Sequence, residues 1–224
     1  MRRFARENGL SLFFLAIFVF TLLGQSFAGR AVFNEERREH GESPISWAHY
    51  LVSPEFGAAV MENWQSEFLQ FSLFILATIW LVQRGSNESK VPGEEGIESK
   101  QKQRLEGYAP DRAPAWAKVR GVRSWLYQNS LLVTMMLIFI GTWTAQSLTN
   151  WANYNAEQEA HDAQPVTWWE FVRGPDFWEK TLQNWQSEFL AVGAMAVFTI
   201  YLRQRGSPES KPVGAPHDET ASSG

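Results

Sequence analysis

The chain has 224 residues, of which 45% are hydrophobic, and a formal net charge of −4. A mildly negative chain without a basic face argues against a nucleic-acid partner. The absence of cysteine excludes disulfides, thiol catalysis and cysteine-based metal sites. The mean hydropathy of −0.27 is ordinary for a soluble protein, but it averages nearly uncharged segments with strongly charged ones.

Four nearly uncharged segments alternate with these charged stretches. The pattern predicts an all-α integral membrane protein with four transmembrane helices. We expect them at about residues 10–28, 63–82, 128–148 and 184–203. The apolar parts of the second and fourth cover only about 22 Å of the roughly 30 Å of hydrocarbon, so their polar beginnings are drawn towards the outer leaflet. Ser53-Pro54-Glu55 and Gly174-Pro175-Asp176 predict the helix starts, because proline suits the first helical position.

An internal duplication organises the chain. The string NWQSEFL occurs at residues 63–69 and again at 184–190. A shift of about 121 positions aligns residues 8–90 with 129–211 without a gap, and about 32 of the aligned pairs are identical. Each copy holds two predicted spans, so both copies enter the membrane from the same side. This predicts two parallel two-helix repeats related by a pseudo-two-fold axis along the membrane normal.

The domain boundaries follow from this duplication. We predict a first repeat at 1–84, a cytoplasmic linker at 85–124, a second repeat at 125–205 and a disordered tail at 206–224. Lysine and arginine gather near both termini and in the linker, which predicts that these parts are cytoplasmic and that the loops 29–62 and 149–183 face outward from the inner membrane. The N-terminus also resembles a signal peptide ending at Ser26-Phe27-Ala28. The repeat argues against cleavage, because the aligned second copy lies in the middle of the chain.

Repeated polar residues near the outer ends of the predicted spans form the candidate site. They are Glu67, Glu188, Asn63, Asn184, Gln25 and Gln146. Asparagine and glutamate lie four residues apart and share a helix face in each copy. Two glutamates at membrane depth could bind a cation or share a proton. The alternative is that they are solvated at the headgroups or bond to amide side chains between helices.

Histidine supplies a weaker candidate. His40 and His161 occupy matching positions in the outward loops, beside several glutamates, and are weak candidates for a metal site. No HExxH spacing accompanies them, so local hydrogen bonds explain them as well. The chain also lacks Walker, GxGxxG and GxSxG motifs, so we expect neither an enzyme nor a cofactor.

The sequence resembles a known bacterial family. RENGLSL, FNEERREHGESP, NWQSEFLQ and QRGSNESK are similar to segments of an uncharacterised membrane family described only as a domain of unknown function. The resemblance covers about residues 4–212. It implies a bacterial integral membrane protein and carries over no catalytic residues.

Three hypotheses for function follow. The first is a multi-pass membrane protein with a non-enzymatic structural or partner-binding role. The alternative is a small proton or cation channel or transporter that uses Glu67 and Glu188, and a membrane-embedded enzyme is a weaker third option. The lipid bilayer is the expected partner; protein partners are unknown and a homo-oligomer is left open.

Overall fold

The protein is described by a computed structural model that covers residues 2–222. Throughout that range the regular structure is helical, with no β-strand. The α-helices are α1 Arg2–Glu7, α2 Gly9–Glu39, α3 Trp47–Leu51, α4 Pro54–Trp80, α5 Val122–Gln128, α6 Ser130–Ala160, α7 Trp168–Phe171 and α8 Pro175–Tyr201. Short 3-10 turns occur at Glu106–Tyr108 and Ala115–Ala117.

The long helices correspond in pairs. α2 and α6 have 31 residues each, and α4 and α8 have 27 residues each. Each later helix begins and ends at the positions that the sequence alignment matches to the earlier one. α4 begins at Pro54 and α8 at Pro175, so both predicted starts are confirmed. The Ser53 hydroxyl accepts a hydrogen bond from the Phe56 amide at 3.3 Å, which caps the first turn of α4.

Two helices, α2 and α6, are long and apolar enough to cross a membrane. Both continue well past their predicted apolar ends, to Glu39 and Ala160. The added turns contain no proline, and their alanine, glutamate and arginine residues have high helix propensity. α4 and α8 do not meet the same test, because their first halves contain the polar NWQSEFL residues.

The chain divides into two compact units. The first holds the described residues up to Val60 together with Ala145–Trp168, and the second holds Met61–Thr144 with the described residues from Trp169 onward.

In the first unit, one asparagine fastens the end of each long helix to the segment that follows it. The Asn34 side chain donates to the Ile45 carbonyl at 3.0 Å and accepts from the Ile45 amide at 2.8 Å. Asn155 makes the same pair of bonds with Val166, at 3.0 and 2.9 Å. The side chain thus pairs two main-chain groups of each loop, as buried polar groups require.

The second unit contains the linker and the tail. Lys90 forms an ion pair with Glu98 at 2.6 Å and donates to the Gly96 carbonyl. In the tail, which was predicted to be disordered, Lys211 is buried and donates to the carbonyls of Pro216, His217 and Glu219, each at 3.0 Å. Both lysines close the motif QRGSxESK, so each copy of the motif is followed by a segment that folds back on its lysine.

Candidate functional site

Glu67 and Glu188 lie close enough to interact electrostatically in the second unit. Glu67 is exposed and Glu188 is half-buried. Neither forms an ion pair within residues 2–222. The matched glutamates of NWQSEFL therefore approach each other near the protein surface.

The four amide side chains of the predicted site lie in different parts of the structure. Asn63 is exposed and Asn184 is half-buried, and the Asn184 side chain donates to the Lys180 carbonyl of its own helix at 2.9 Å. Gln25 is exposed, whereas its counterpart Gln146 is fully buried, with no hydrogen-bond partner for either amide atom. Gln25 and Gln146 belong to the first unit, and the other predicted site residues to the second.

The two histidines lie on the surface. The His40 Nδ1 atom is 2.8 Å from the Glu36 carbonyl of its own helix. His161 is also exposed. Across the described part of the chain, no three histidine, cysteine, aspartate or glutamate side chains cluster as metal ligands.

A different residue of NWQSEFL links the two copies. Gln65 is fully buried, and its carbonyl oxygen accepts a hydrogen bond from the Trp185 indole at 2.7 Å. Its amide group donates to the Glu62 carbonyl at 3.1 Å. Gln65 thus joins α4 to α8, and its counterpart Gln186 is exposed.

A second pair of matched glutamates borders a cavity of about 210 Å³ in the second unit. These are Glu88 and Glu209, the acidic residues of the two QRGSxESK motifs. The cavity is lined by Gln70, Phe71, Phe74, Glu88, Ala191, Val192, Met195, Ala196 and Glu209. Its walls come from α4 and α8, and they are mostly apolar.

The two carboxyl groups lie within hydrogen-bonding reach of each other. Burial, and then the negative charge of Glu209, raise the pKa of Glu88 above the ordinary range of glutamate, while a hydrogen bond from Asn87 opposes the shift. Two carboxylates this close hold a proton between them more readily than either alone.

Serine side chains hold both motif loops in the same shape. The Glu88 amide donates to the Ser86 hydroxyl at 3.2 Å, and the Glu209 amide donates to the Ser207 hydroxyl at the same distance. The neighbouring lysines, Lys90 and Lys211, bind main-chain carbonyls downstream instead of the glutamate pair. Each motif therefore holds its glutamate in place without pairing the carboxylate with the motif's own lysine.

One family model, described as a domain of unknown function (DUF6766), matches residues 1–222. The chain belongs to this family. No curated protein and no solved structure matches it. The resemblance seen in the sequence correctly implied an uncharacterised family.

In this DUF6766 chain, sequence reasoning passed over Glu88 and Glu209. It recognised that QRGSxESK recurs but treated the first copy as the start of a linker and the second as a tail. The available signal was an acidic residue kept at the same position of both copies, next to helices with apolar faces. Glu88 and Glu209 can hold a shared proton beside the apolar walls of the cavity. A cavity of this kind suits a positively charged ligand with an apolar body.

Proposed function

We propose that the chain is a multi-pass protein of the bacterial inner membrane in which α2, α4, α6 and α8 all cross the bilayer. The exposure of α2 carries this proposal. Its apolar side chains from Leu10 to Phe27 face outward along most of its length; Leu10 is 74% exposed and Phe20 is 78% exposed. A continuous apolar surface of this kind is unfavourable in water and is suited to lipid.

The lengths of α4 and α8 support the same proposal. Each has 27 residues, or roughly 40 Å at 1.5 Å per residue, which exceeds the roughly 30 Å of hydrocarbon. Their second halves expose large apolar side chains such as Trp80 and Phe198. The matched helix bounds favour two parallel repeats about a pseudo-two-fold axis. The lysine and arginine residues near both ends of the chain favour cytoplasmic termini.

Reporter fusions test the arrangement. We expect alkaline phosphatase to be active when fused after residues 45 and 166, and green fluorescent protein to be fluorescent when fused after residues 100 and 222. Cytoplasmic positions for both loops would overturn the orientation. Release of the unfused protein from membranes by alkaline carbonate would overturn the membrane-spanning proposal itself.

We propose further that the role is non-enzymatic binding, and that the cavity bordered by Glu88 and Glu209 takes an organic monocation. The two neighbouring carboxyl groups give the cavity a negative charge that attracts a cation. The rings of Phe71 and Phe74 and the thioether of Met195 line the apolar part of the cavity. Aromatic faces attract cations, and the apolar walls favour a guest with an apolar body.

Calorimetry on the purified full chain tests this role, with benzyltrimethylammonium as the probe. We expect the double variant Glu88→Gln/Glu209→Gln to lose at least about tenfold in affinity, because both acidic side chains that line the cavity are neutralised. Proton release on binding, seen as a buffer-dependent heat, should disappear in the same variant. Equal affinity of the variant and the unaltered protein would reject this site.

A second candidate function is proton or cation passage through Glu67 and Glu188, and their proximity, close enough for the charges to interact, favours it. Ion flux into liposomes tests it, with Glu67→Gln/Glu188→Gln as the variant. The two glutamate pairs provide matched controls: flux lost only in this variant supports passage, whereas binding lost only in the Glu88/Glu209 variant supports the cavity. Unchanged flux in Glu67→Gln/Glu188→Gln would end this candidate.

A further inference from the structure

The segment Trp116–Tyr127, called here the amphipathic segment, exposes apolar and basic side chains together. Trp116 is 48% exposed, Val122 is 74% exposed and Trp125 is 58% exposed. Ala117 and Ser124 are its buried residues. Several large apolar side chains exposed in a short stretch are typical of a surface that contacts a protein or a membrane.

The charge of the segment is of one sign. It contains Lys118, Arg120 and Arg123, and no acidic residue occurs anywhere from residue 112 to residue 156. Arg120 contacts the Glu106 carboxylate at 3.0 Å, but its side chain stays 85% exposed. Lys118 donates to the Asp111 carbonyl, which leaves its charge uncompensated. The segment therefore suits an anionic surface that also accepts aromatic rings.

The segment leads directly into α6, one of the two helices apolar enough to cross a membrane. α5 ends at Gln128, and the Asn129 side chain donates back to the Trp125 carbonyl at 2.8 Å. Only one residue separates α5 from α6, so a membrane that takes in α6 must come close to α5. This adjacency favours a lipid surface over a protein partner.

The same turn occurs at the start of the first repeat. The Asn8 side chain donates to the Phe4 carbonyl at 2.9 Å, and Phe4 is well exposed. There Arg3 is paired with Glu7 at 2.7 Å, so part of the positive charge is balanced within α1. The second copy lacks that acid and has the additional stretch Trp116–Arg120 before its helix.

We propose that the amphipathic segment binds the headgroups of anionic phospholipids at the membrane surface. Its tryptophans enter the interfacial region, and its three cationic side chains contact lipid phosphates. The inference rests on the proposed membrane-spanning function of α6. It adds a lipid class and a named set of residues to that function.

The experiment uses the absence of native cysteine. The full chain carries one spin label at Val122→Cys and is placed in nanodiscs of phosphatidylcholine alone or with one-third phosphatidylglycerol. The immersion depth of the label is measured by electron paramagnetic resonance accessibility to oxygen and to a water-soluble nickel chelate. We expect headgroup-depth immersion in the anionic nanodiscs and an at least about tenfold lower immersed fraction without phosphatidylglycerol, or with it in high salt.

Matched variants identify the cause. Lys118→Gln/Arg120→Gln/Arg123→Gln should return the label to water in anionic nanodiscs. The same change at three linker positions, Lys100→Gln/Lys102→Gln/Arg104→Gln, should leave it immersed. Equal depth in both lipid compositions, or an immersed label in the first triple variant, would overturn the proposal.

A second label separates this inference from the function on which it rests. Leu137→Cys lies in the apolar part of α6 and is well exposed in the structure. A label there that is buried in hydrocarbon, with Val122→Cys in water, would reject anionic-lipid binding alone. A water-exposed label at Leu137→Cys would reject the membrane-spanning function as well.

Discussion

The asparagine contact inside each copy of the repeat is duplicated, whereas the burial of Gln65 between the copies is not. Asn34 bonds to Ile45 as Asn155 bonds to Val166, with nearly equal distances. By contrast, Gln65 is buried against Trp185 while Gln186 is exposed.

The difference follows from the geometry of a fused pair. A contact within one copy depends only on that copy, so both sequences keep the same solution. At the junction of two copies, one residue can take over a contact that symmetry would otherwise make twice. Gln65 illustrates this, because it is buried against Trp185 whereas its counterpart Gln186 is exposed.

The largest expected effect tests the duplicated contacts. Asn34→Ala leaves the Ile45 amide without its partner and removes one of two donors to the Ile45 carbonyl, the other being Arg30 at 3.0 Å. We expect the loss of both bonds to lower the free energy of unfolding by about 2–4 kcal/mol. Asn155→Ala should cost a similar amount, because the bonds are the same. Unfolding in mixed detergent micelles, followed by tryptophan fluorescence, measures both. A near-zero cost at one position and a full cost at the other would mean that the loops are not equivalent.

A smaller effect tests the contact between copies. Gln65→Leu keeps a similar volume but removes the acceptor of the Trp185 indole, and we expect it to cost about 1–3 kcal/mol. Gln186→Leu should change stability by no more than about 0.5 kcal/mol, because that side chain is exposed. In a double-mutant cycle Gln65→Leu and Trp185→Phe should be non-additive. An equal loss of unfolding free energy in Gln65→Leu and Gln186→Leu would mean that the two glutamines do not differ in their contribution to stability.

Local signals in the sequence predicted much of the fold. The proline at the first helical position marked the starts of α4 and α8, and apolar runs marked α2 and α6. The repeat could not show that Gln146 is buried and Gln25 exposed, since the two occupy identical positions in aligned segments. Burial depends on neighbours that are distant along the chain.

The candidate site was harder to predict for a similar reason. The sequence could only propose Glu67 and Glu188 as a pair, because periodicity predicts their helix faces and their depth. Glu88 and Glu209 meet only because two irregular loops turn back towards the cavity. Each turn is held by a lysine bound to carbonyls downstream, and no periodic pattern records such a bond.

The two lysines of the QRGSxESK motifs differ in burial, because Lys211 is buried and Lys90 is half-buried. Lys211→Met removes three bonds to tail carbonyls, so we expect hydrogen exchange in residues 212–221 to accelerate by about tenfold or more. Lys90→Met should have a smaller effect on residues 91–98, because its ion pair with Glu98 is partly solvated. Neither change should lower the melting temperature by more than a few degrees, since both segments open locally. Exchange of the unaltered tail at the rate of an unfolded peptide would instead support the predicted disorder.

The smallest effect concerns the pH dependence of the glutamate pair at the cavity. Because the pKa of Glu88 is raised in the folded protein, the folded state binds more protons than the unfolded state between the ordinary glutamate pKa, about 4.3, and the raised one. The free energy of unfolding should therefore fall as pH rises through that window.

Variants test this pH dependence. Glu88→Gln removes the titrating group, so the melting temperature of this variant should rise relative to that of the unaltered protein as pH increases. Glu209→Gln should reduce the same pH dependence, because it removes a charge that raises the pKa of Glu88. Glu94→Gln, at an exposed ion pair with Lys102, is the control and should show no such trend. A constant difference between Glu88→Gln and the unaltered protein from pH 4 to pH 8 would mean that the pKa of Glu88 is not raised in the folded protein.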